Sequence, residues 1–214
     1  MKGYIEINKT CYEQLVFEYK CREEKKSCYE ESAQVLCDFV LKTTSQSDIL
    51  SVLEIGPGTG QCLTYYSSLG YHTVGVELSP SMAEVAYRNS PQSILIVSDI
   101  LSIDFPLEQF DIIFMGALIH LFPKNDAKRL LDKVHHWLKP SGRIFINTTC
   151  HEISQEGFHI KKDYSEKLMR FRKYWREDEF YNFIHEQRFR VLDTMYTDEI
   201  NRQKKWVAYV CEKK

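Results

Sequence analysis

Three glycines and an acid stand together in the segment 51-SVLEIGPGTGQC-62. Gly56, Gly58 and Gly60 follow a run of strand-forming residues, and Glu54 lies within that run. Glycine allows a sharp backbone turn after a strand, so that a ligand can lie against the main chain. A carboxylate at this place would repel a phosphate. The loop therefore predicts a ligand that carries a positive charge.

The common nucleotide-binding motifs do not fit this loop. The dinucleotide fingerprint G-x-G-x-x-G needs a third glycine three residues after Gly58, where the sequence has Gln61. The P-loop needs a Gly-Lys-Ser/Thr sequence, which does not follow here. The spacing therefore opposes a nicotinamide-dependent oxidoreductase and a P-loop enzyme.

Two further acids end the next two predicted strands. Glu77 is the last residue of the predicted strand 72–77, and Asp99 follows the predicted strand 93–98. A carboxylate has two acceptor oxygens, which match the two hydroxyls of a ribose or can accept from an adenine amine. Acids at three adjacent strand ends therefore predict a cationic adenosine derivative.

The elements that position these residues follow from the hydrophobic pattern. Predicted strands alternate with predicted helices, which is typical of an α/β fold with a mostly parallel sheet. One or two helices are expected from Cys11 to about Thr43. After them we predict strands at 50–55, 72–77, 93–98, 110–116, 143–149, 189–196 and 205–212, and helices at 59–69, from 80 and at 125–138.

Together these features resemble the class I S-adenosylmethionine-dependent methyltransferases, most closely over residues 50–150. The resemblance implies a Rossmann-like three-layer α/β sandwich around a mostly parallel seven-stranded sheet with a reversed last strand, N-terminal helices and a helical lid insertion. It rests on segments in the family's order: 52-VLEIGPGTG-60, 76-VELSPSM-82, 98-SDI-100, 110-FDIIFMGALIHLF-122 and 138-LKPSGRIFI-146.

The resemblance also implies how the chain is organised. We expect one methyltransferase domain over 1–214. Its parts are an N-terminal helical cap at 1–45, a cofactor-binding core at 46–150, a substrate lid at 151–187 and closing strands at 188–214.

By resemblance, the cofactor is S-adenosyl-L-methionine and each strand end has a role. The three glycines line its methionine portion, with Glu54 behind them, and Glu77 binds the ribose. The remaining residues implied at the cofactor are Leu78 and Met82 beside the adenine, Asp99 and Ile100 at its polar edge, Met115 at the end of the fourth strand, and Tyr19 and Arg22 over the carboxylate. An exposed charged helix is the alternative interpretation of 19-YKCREEKKS-27.

The expected reaction is direct in-line transfer of the methyl group to an oxygen or nitrogen of a small molecule. His120 is the candidate general base, because a neutral imidazole can take a proton near pH 7. The alternative is that this histidine caps the strand or shields the cofactor. The sequence around it lacks the Asn-Pro-Pro-Tyr of nucleobase amino methylation.

The segment 161–176 leaves the acceptor open. It contains seven basic and two acidic residues among aromatic ones. This mixture suits an anionic or aromatic small molecule, or RNA bases and phosphates, or else an amphipathic helix with its aromatics in the core. The alternatives to a small-molecule enzyme are an RNA or peptide methyltransferase and a non-catalytic subunit that binds the cofactor.

Composition and charge limit the partners and the cellular location that we expect for this protein. The net charge of −2 gives no strongly basic face, so nucleic acid is possible but not favoured as a partner. Seven cysteines without a C-x-x-C pair favour neither a metal site nor a disulfide framework. No secretory signal and no long apolar run are found, so we expect a cytoplasmic protein without a membrane partner.

Overall fold

The helices and strands alternate along most of the chain. The computed structural model describes residues 3–24, 27–44, 50–161, 167–199 and 204–214. Within these residues the helices are α1 (Tyr4–Glu24), α2 (Ser27–Leu41), α3 (Gln61–Ser68), α4 (Pro80–Asn89), α5 (Lys124–Trp137) and α6 (Glu177–Glu186). The strands are β1 (Ser51–Ile55), β2 (His72–Glu77), β3 (Ile94–Val97), β4 (Phe110–Met115), β5 (Leu138–Cys150), β6 (Gln155–Lys161), β7 (Leu168–Tyr174), β8 (Phe189–Glu199) and β9 (Lys204–Lys213).

The central sheet has the predicted α/β architecture. Seven strands of the described part pair in the order β3-β2-β1-β4-β5-β9-β8. The pairs β2–β3, β1–β2, β1–β4 and β4–β5 are parallel, whereas β9 runs antiparallel to both β5 and β8. The mostly parallel sheet with its reversed last strand is therefore confirmed.

Apolar faces of the helices cover the sheet. Leu130, Leu131, Val134 and Trp137 of α5 form one apolar stripe at helical spacing, and each is fully buried. On the other side of the sheet, Phe114 of β4 stacks on its neighbour in β5 with ring centroids 4.2 Å apart. A parallel sheet that is buried on both faces explains why its strands read as continuous apolar runs.

The predicted boundaries in the core are close to the observed ones. Strand β2 begins and ends as predicted, and α4 begins at Pro80. The Ser79 hydroxyl oxygen accepts a hydrogen bond from the backbone N–H of Met82, which makes Ser79 the N-cap of α4. Local features of the sequence were therefore sufficient to predict these boundaries.

Two predictions outside the core were wrong. The first helix begins at Tyr4 rather than near Cys11. The helical lid insertion is also incorrect over much of 151–187, because β6 and β7 form an antiparallel hairpin and only α6 is helical. Phe171 of β7 packs against Tyr4 with ring centroids 5.5 Å apart, so a contact distant in sequence stabilises the hairpin.

None of the helices within the described residues combines the length and apolar character that a membrane crossing requires.

Candidate functional site

A cavity of about 330 Å³ opens at the carboxyl ends of β1, β2, β3 and β4. The residues directly after each of these strands contribute to its lining, as expected for a ligand site in an open α/β sheet. Residues of α1 and α2 close the cavity from the other side.

The glycine loop after β1 approaches this cavity closely. Gly56 and Gly58 line it and have φ angles of 70° and 56°, a left-handed conformation that favours glycine. A Cβ atom on Gly56 would lie 2.8 Å from Leu118 Cδ1. Gly60 has a different place: it precedes α3, and a Cβ there would meet Ala86 Cα of α4 at 3.0 Å. Gly60 thus lets α3 and α4 pack closely, away from the cavity wall.

Glu77 connects the ends of β1 and β2. Its Oε2 accepts from the Gly58 backbone N–H at 3.1 Å, and its Oε1 accepts from the Ser79 N–H at 2.9 Å. Burial raises the pKa of this carboxyl to about 7, although these hydrogen bonds act to lower it. Each carboxylate oxygen keeps a further lone pair, so Glu77 can still accept from two hydroxyls of a ligand.

Glu54 lies behind the glycine loop and also lines the cavity. Its Oε2 accepts from the Leu63 N–H at the start of α3, at 3.1 Å. Burial raises the pKa of Glu54 to about 8, and the negative charge of Glu77 adds to this effect. A ligand cation near Glu54 would offset the unfavourable effect of burial on the charged form and so favour the ionised carboxylate.

Residues after β2 and β3 form a further part of the cavity lining. Leu78, Met82, Asp99 and Ile100 all line the cavity. Asp99 Oδ1 accepts from the Leu101 N–H at 3.0 Å and thereby caps a short 3-10 turn. One oxygen of Asp99 has this local structural partner, and the residue still contributes to the cavity wall.

The remaining predicted site residues are spread more widely. Tyr19 of α1 lines the cavity, whereas Met115 is fully buried in β4 and His120 is buried beyond the lining residues. The His120 ring lies 3.2 Å from the Thr148 hydroxyl, measured from Nδ1, and 6.0 Å from the Trp206 ring centroid. The side chain of Arg22 lies outside the described residues.

The N-terminal helix supplies a wall that the motif analysis missed. Tyr4, Ile5, Asn8 and Tyr12 line the cavity and are here called the α1 wall. Tyr4, Asn8 and Tyr12 recur every four residues, so they share one face of a helix. That spacing was a usable signal, but it does not reveal what the face packs against.

Asn8 fixes the α1 wall to two other elements. Its Nδ2 donates to the Leu121 carbonyl oxygen at 3.0 Å, and its Oδ1 accepts from the Phe171 N–H at 2.8 Å. Asn8 is buried, and it joins α1 to the segment after β4 and to β7. This arrangement closes the cavity with a few specific contacts.

A further contact holds α1 against α4. The Ser79 and Ser81 hydroxyls donate to the Glu13 carboxylate at 2.6 and 2.5 Å. The two serines begin α4, where an anionic partner is favourable. Helix α1 is therefore bound to both sides of the cavity.

These features fit S-adenosyl-L-methionine. The left-handed glycines provide a surface without Cβ atoms, and two buried carboxyls adjoin it. Buried carboxyls favour a ligand that has hydrogen-bond donors and a positive charge. A cationic ligand with ribose hydroxyls has both, whereas a phosphate has neither. Across the described ranges, no group of three or more His, Cys, Asp or Glu residues has the arrangement of a metal site.

Comparison with known proteins agrees with this geometry. Residues 53–146 match a family model described as a methyltransferase domain. The chain is 32% identical over 126 residues to a phosphoethanolamine N-methyltransferase of Plasmodium falciparum, an alignment that covers 56% of this chain and 45% of that relative. The chain thus spans less than half the length of the Plasmodium protein.

Two further similarities extend over more of the chain. An uncharacterized methyltransferase of Alkaliphilus oremlandii is 28% identical over 190 residues, which cover 87% of this chain and 84% of that protein. The structure of a Burkholderia thailandensis 1,6-didemethyltoxoflavin-N1-methyltransferase superposes with a TM-score of 0.74 at 16% identity, covering 100% of this chain and 91% of that one. That structure contains S-adenosylhomocysteine and the acceptor.

Proposed function

Because this chain carries a class I S-adenosylmethionine-dependent methyltransferase domain, we propose that it transfers a methyl group to an oxygen or nitrogen of a small molecule. One observation carries the proposal: a single cavity is bounded both by the residues suited to the cofactor and by the α1 wall. A small acceptor would thus be enclosed beside the methyl donor.

The residues of the chain would act mainly by positioning and by excluding water. S-adenosylmethionine supplies a methyl group on a positively charged sulfur, which needs no further activation. Glu77 would hold the ribose, and Glu54 would favour the cationic end of the cofactor. The α1 wall and Leu118 would confine the acceptor, so that most of the rate gain comes from proximity and orientation.

The direct displacement needs a base only when the acceptor atom must lose a proton. His120 is the proposed candidate because its imidazole lies in the segment after β4, next to Leu121, which lines the cavity. Its observed neighbours are Thr148 and Trp206. A movement of this segment would be needed to bring the ring to the acceptor.

Two aromatic side chains of the segment 161–176 are buried, which favours a small acceptor over RNA, whereas Phe158 of β6 is 46% exposed. Base stacking needs accessible aromatic rings, but Phe171 is buried and Trp175 has no exposed surface. The names of two similar proteins also support small acceptors, since one specifies phosphoethanolamine and the other 1,6-didemethyltoxoflavin. Both names specify methylation of nitrogen.

The test is transfer of radiolabelled methyl from S-adenosylmethionine into a cell extract. The products are separated by size, and parallel samples are treated with nuclease and protease. We expect label in the low-mass fraction, lost with Glu77→Ala. Label that remains large and is released by nuclease or protease would indicate RNA or polypeptide instead, and cofactor binding without any transfer would indicate a non-catalytic subunit.

A further inference from the structure

Different strands supply the two sides of the cavity. The carboxyls suited to the cofactor belong to β1, to β2 and to the segment after β3. In the sheet, β4 separates these strands from β5. Asn147 of β5 also lines the cavity, so it lies on the side away from those carboxyls. A polar group on this side is placed to contact the acceptor.

The side-chain amide of Asn147 has a fixed orientation. Its Oδ1 accepts a hydrogen bond from the Ala117 backbone N–H at 2.5 Å. A backbone N–H can only donate, so the amide oxygen must face it. The amide nitrogen of Asn147 therefore points away from Ala117.

This amide nitrogen is a hydrogen-bond donor that the fold does not use. None of the described residues accepts a hydrogen bond from Asn147 Nδ2, and Nδ2 is not fully enclosed by protein. Asn147 is only 8% exposed and lines the cavity, so the accessible surface of Nδ2 lies toward the cavity. A ligand that fills the cavity removes water from this donor, and it must supply a lone pair to replace that water.

The turn after β4 holds the donor in place. Ala117 has a φ angle of 53°, a left-handed conformation that residues other than glycine seldom adopt. Such strain persists where surrounding contacts impose it, and it is common at functional sites. The hydrogen bond to Asn147 Oδ1 is one of these contacts. Because the same bond fixes the direction of Nδ2, the donor is positioned before a ligand binds.

The surroundings of Asn147 favour an uncharged partner. A Cβ atom on Gly116 would lie 2.9 Å from Phe114 Cε1, so the turn adjoins an aromatic ring that also lines the cavity. A neutral amide beside a ring does not compensate the charge of a buried ion, but it pairs well with a neutral carbonyl or ring nitrogen. An ammonium nitrogen is unsuitable as well, because it has no lone pair.

We propose that Asn147 Nδ2 donates to a carbonyl oxygen or to an unprotonated ring nitrogen of the acceptor. Asn147 is then a specificity-determining residue, and the acceptor is an uncharged carbonyl compound or nitrogen heterocycle. The atom that binds Asn147 is distinct from the atom that is methylated, because its lone pair is engaged. This inference rests on the proposed function, because it assigns the acceptor of that reaction.

Matched probes test the inference without requiring turnover. Acetophenone carries a carbonyl oxygen and quinoline a ring nitrogen, and α-methylstyrene and naphthalene are the hydrocarbons of the same shapes. Each probe is titrated at pH 9 into protein saturated with S-adenosylhomocysteine, and ligand-observed NMR gives its Kd. The Kd of each polar probe is divided by that of its hydrocarbon. This ratio is compared between variants, so that solvation of the free probes cancels.

Asn147→Leu should raise the ratio for at least one polar probe by about three- to tenfold, as for the loss of one hydrogen bond. A change with acetophenone indicates a carbonyl compound, and a change with quinoline indicates a heterocycle. If Asn147→Leu leaves both ratios unchanged, or if the wild type binds neither polar probe, the inference is overturned.

Asn147→Asp separates recognition of the acceptor from support of the turn. It keeps an oxygen for the Ala117 N–H but replaces the donor by a carboxylate oxygen, which is ionised at pH 9 because the ordinary pKa of aspartate is about 3.9. The ratio should therefore rise at least as much as in Asn147→Leu. Asn125→Asp is the matched control, since it makes the same change on an exposed residue of α5 and should leave the ratios unchanged.

The affinity for S-adenosylhomocysteine is the second readout for each variant. We expect it to stay within about threefold of the wild type, which also shows that the variant is folded. A wild-type ratio in Asn147→Asp would refute the inference. An equal loss of S-adenosylhomocysteine affinity in both Asn147 variants would refute it too, because Asn147 would then serve the cofactor or the fold.

The extract assay distinguishes failure of this inference from failure of the proposed function. Low-mass label that Asn147→Asp forms at the wild-type rate would refute the role of Asn147 and leave methyl transfer intact. If no label forms but the probe ratios depend on Asn147, the proposed function fails and the binding site remains.

Discussion

Glu77 holds two backbone N–H groups while it remains open to the cavity, so it is the residue on which ligand affinity should depend most directly. Glu77→Gln retains the shape of the side chain but loses its charge and one acceptor. We expect S-adenosylhomocysteine to bind about 10 to 100-fold more weakly at pH 8, as for lost hydrogen bonds to a charged group. Isothermal titration calorimetry measures this change.

The control for Glu77 is Glu84→Gln on the neighbouring helix α4. The Glu84 side chain is 63% exposed and pairs with Arg88 on the same helix. Its replacement should leave the affinity within about twofold, because exposed ion pairs contribute little. Equal weakening in both variants would show that Glu77 has no specific role.

The raised pKa values of Glu54 and Glu77, about 8 and 7, predict opposite effects of pH on stability and on binding. Above the ordinary value of 4.5, the unfolded chain releases protons that the folded, ligand-free protein retains. The free energy of unfolding should therefore fall as pH rises from about 5 to 8. Thermal unfolding at several pH values should show a steeper fall for the wild type than for Glu54→Gln.

Cofactor affinity should rise over the same range. Ionised Glu77 is the form that accepts from ribose hydroxyls, and a pKa near 7 gives up to about a tenfold rise in its ionised fraction between pH 6 and 8. We expect the affinity for S-adenosylhomocysteine to increase by up to that factor. Glu77→Gln should remove most of this dependence, and a flat wild-type profile would contradict the assignment.

His120 contacts Thr148 and is 2% exposed, so its substitution has a structural as well as a possible catalytic effect. If His120 is the base, His120→Ala should lower kcat far more than it lowers cofactor affinity. Thr148→Val is the companion variant, since it removes the hydroxyl partner but keeps the imidazole. Equal losses of kcat and affinity in His120→Ala would exclude the role as base.

At the scale of elements, α1 depends on Asn8 for its place over the cavity. Asn8→Ala leaves the Leu121 carbonyl and the Phe171 N–H without this partner. We expect the free energy of unfolding to fall by about 2–4 kcal/mol, because each buried polar group left unpaired costs about 1–3 kcal/mol. Denaturant unfolding measures it.

Asn125→Ala provides the comparison for this element. Asn125 is exposed in the first turn of α5, so its loss should change the free energy of unfolding by less than about 0.5 kcal/mol. If Asn8→Ala were equally mild, the contacts of Asn8 would not determine how α1 is held.

The sequence predicted the elements of the core because their patterns are local. Ser79 and Pro80 mark the start of α4, and the buried stripe of α5 follows helical spacing. The hairpin was missed because β7 buries Arg170, Arg172 and Lys173, which no apolar periodicity reveals. Its conformation depends on α1, to which it is joined by contacts distant in the chain.

At the scale of the whole molecule, the site also has one part that local sequence patterns predict and another that depends on tertiary contacts. Acids and glycines at strand ends were predictable, because parallel strands place their carboxyl ends at one edge. The resemblance implied an N-terminal helical cap with Tyr19 at the cofactor, but it did not show that Tyr4 and Tyr12 line the cavity, because these two residues belong to no motif and are placed only by tertiary packing. The cofactor side was thus visible in sequence, and the acceptor side required the structure.

Because one cavity brings together four strand ends and α1, a ligand there should stabilise the whole fold. At a concentration 100-fold above its Kd, S-adenosylhomocysteine should add about 2.7 kcal/mol to the free energy of unfolding. For a chain of 214 residues this corresponds to a rise in Tm of about 5–11 °C. Differential scanning calorimetry measures the shift.

The matched ligand control is NADH at the same concentration, because it shares the adenosine but carries a pyrophosphate. Above pH 8 Glu54 is ionised and opposes a phosphate at the glycine loop, and Gln61 replaces the glycine that lets a helix approach a pyrophosphate. NADH should therefore leave Tm unchanged. An equal rise with both ligands would mean that the cavity recognises only the adenosine and that Glu54 does not select a cationic cofactor.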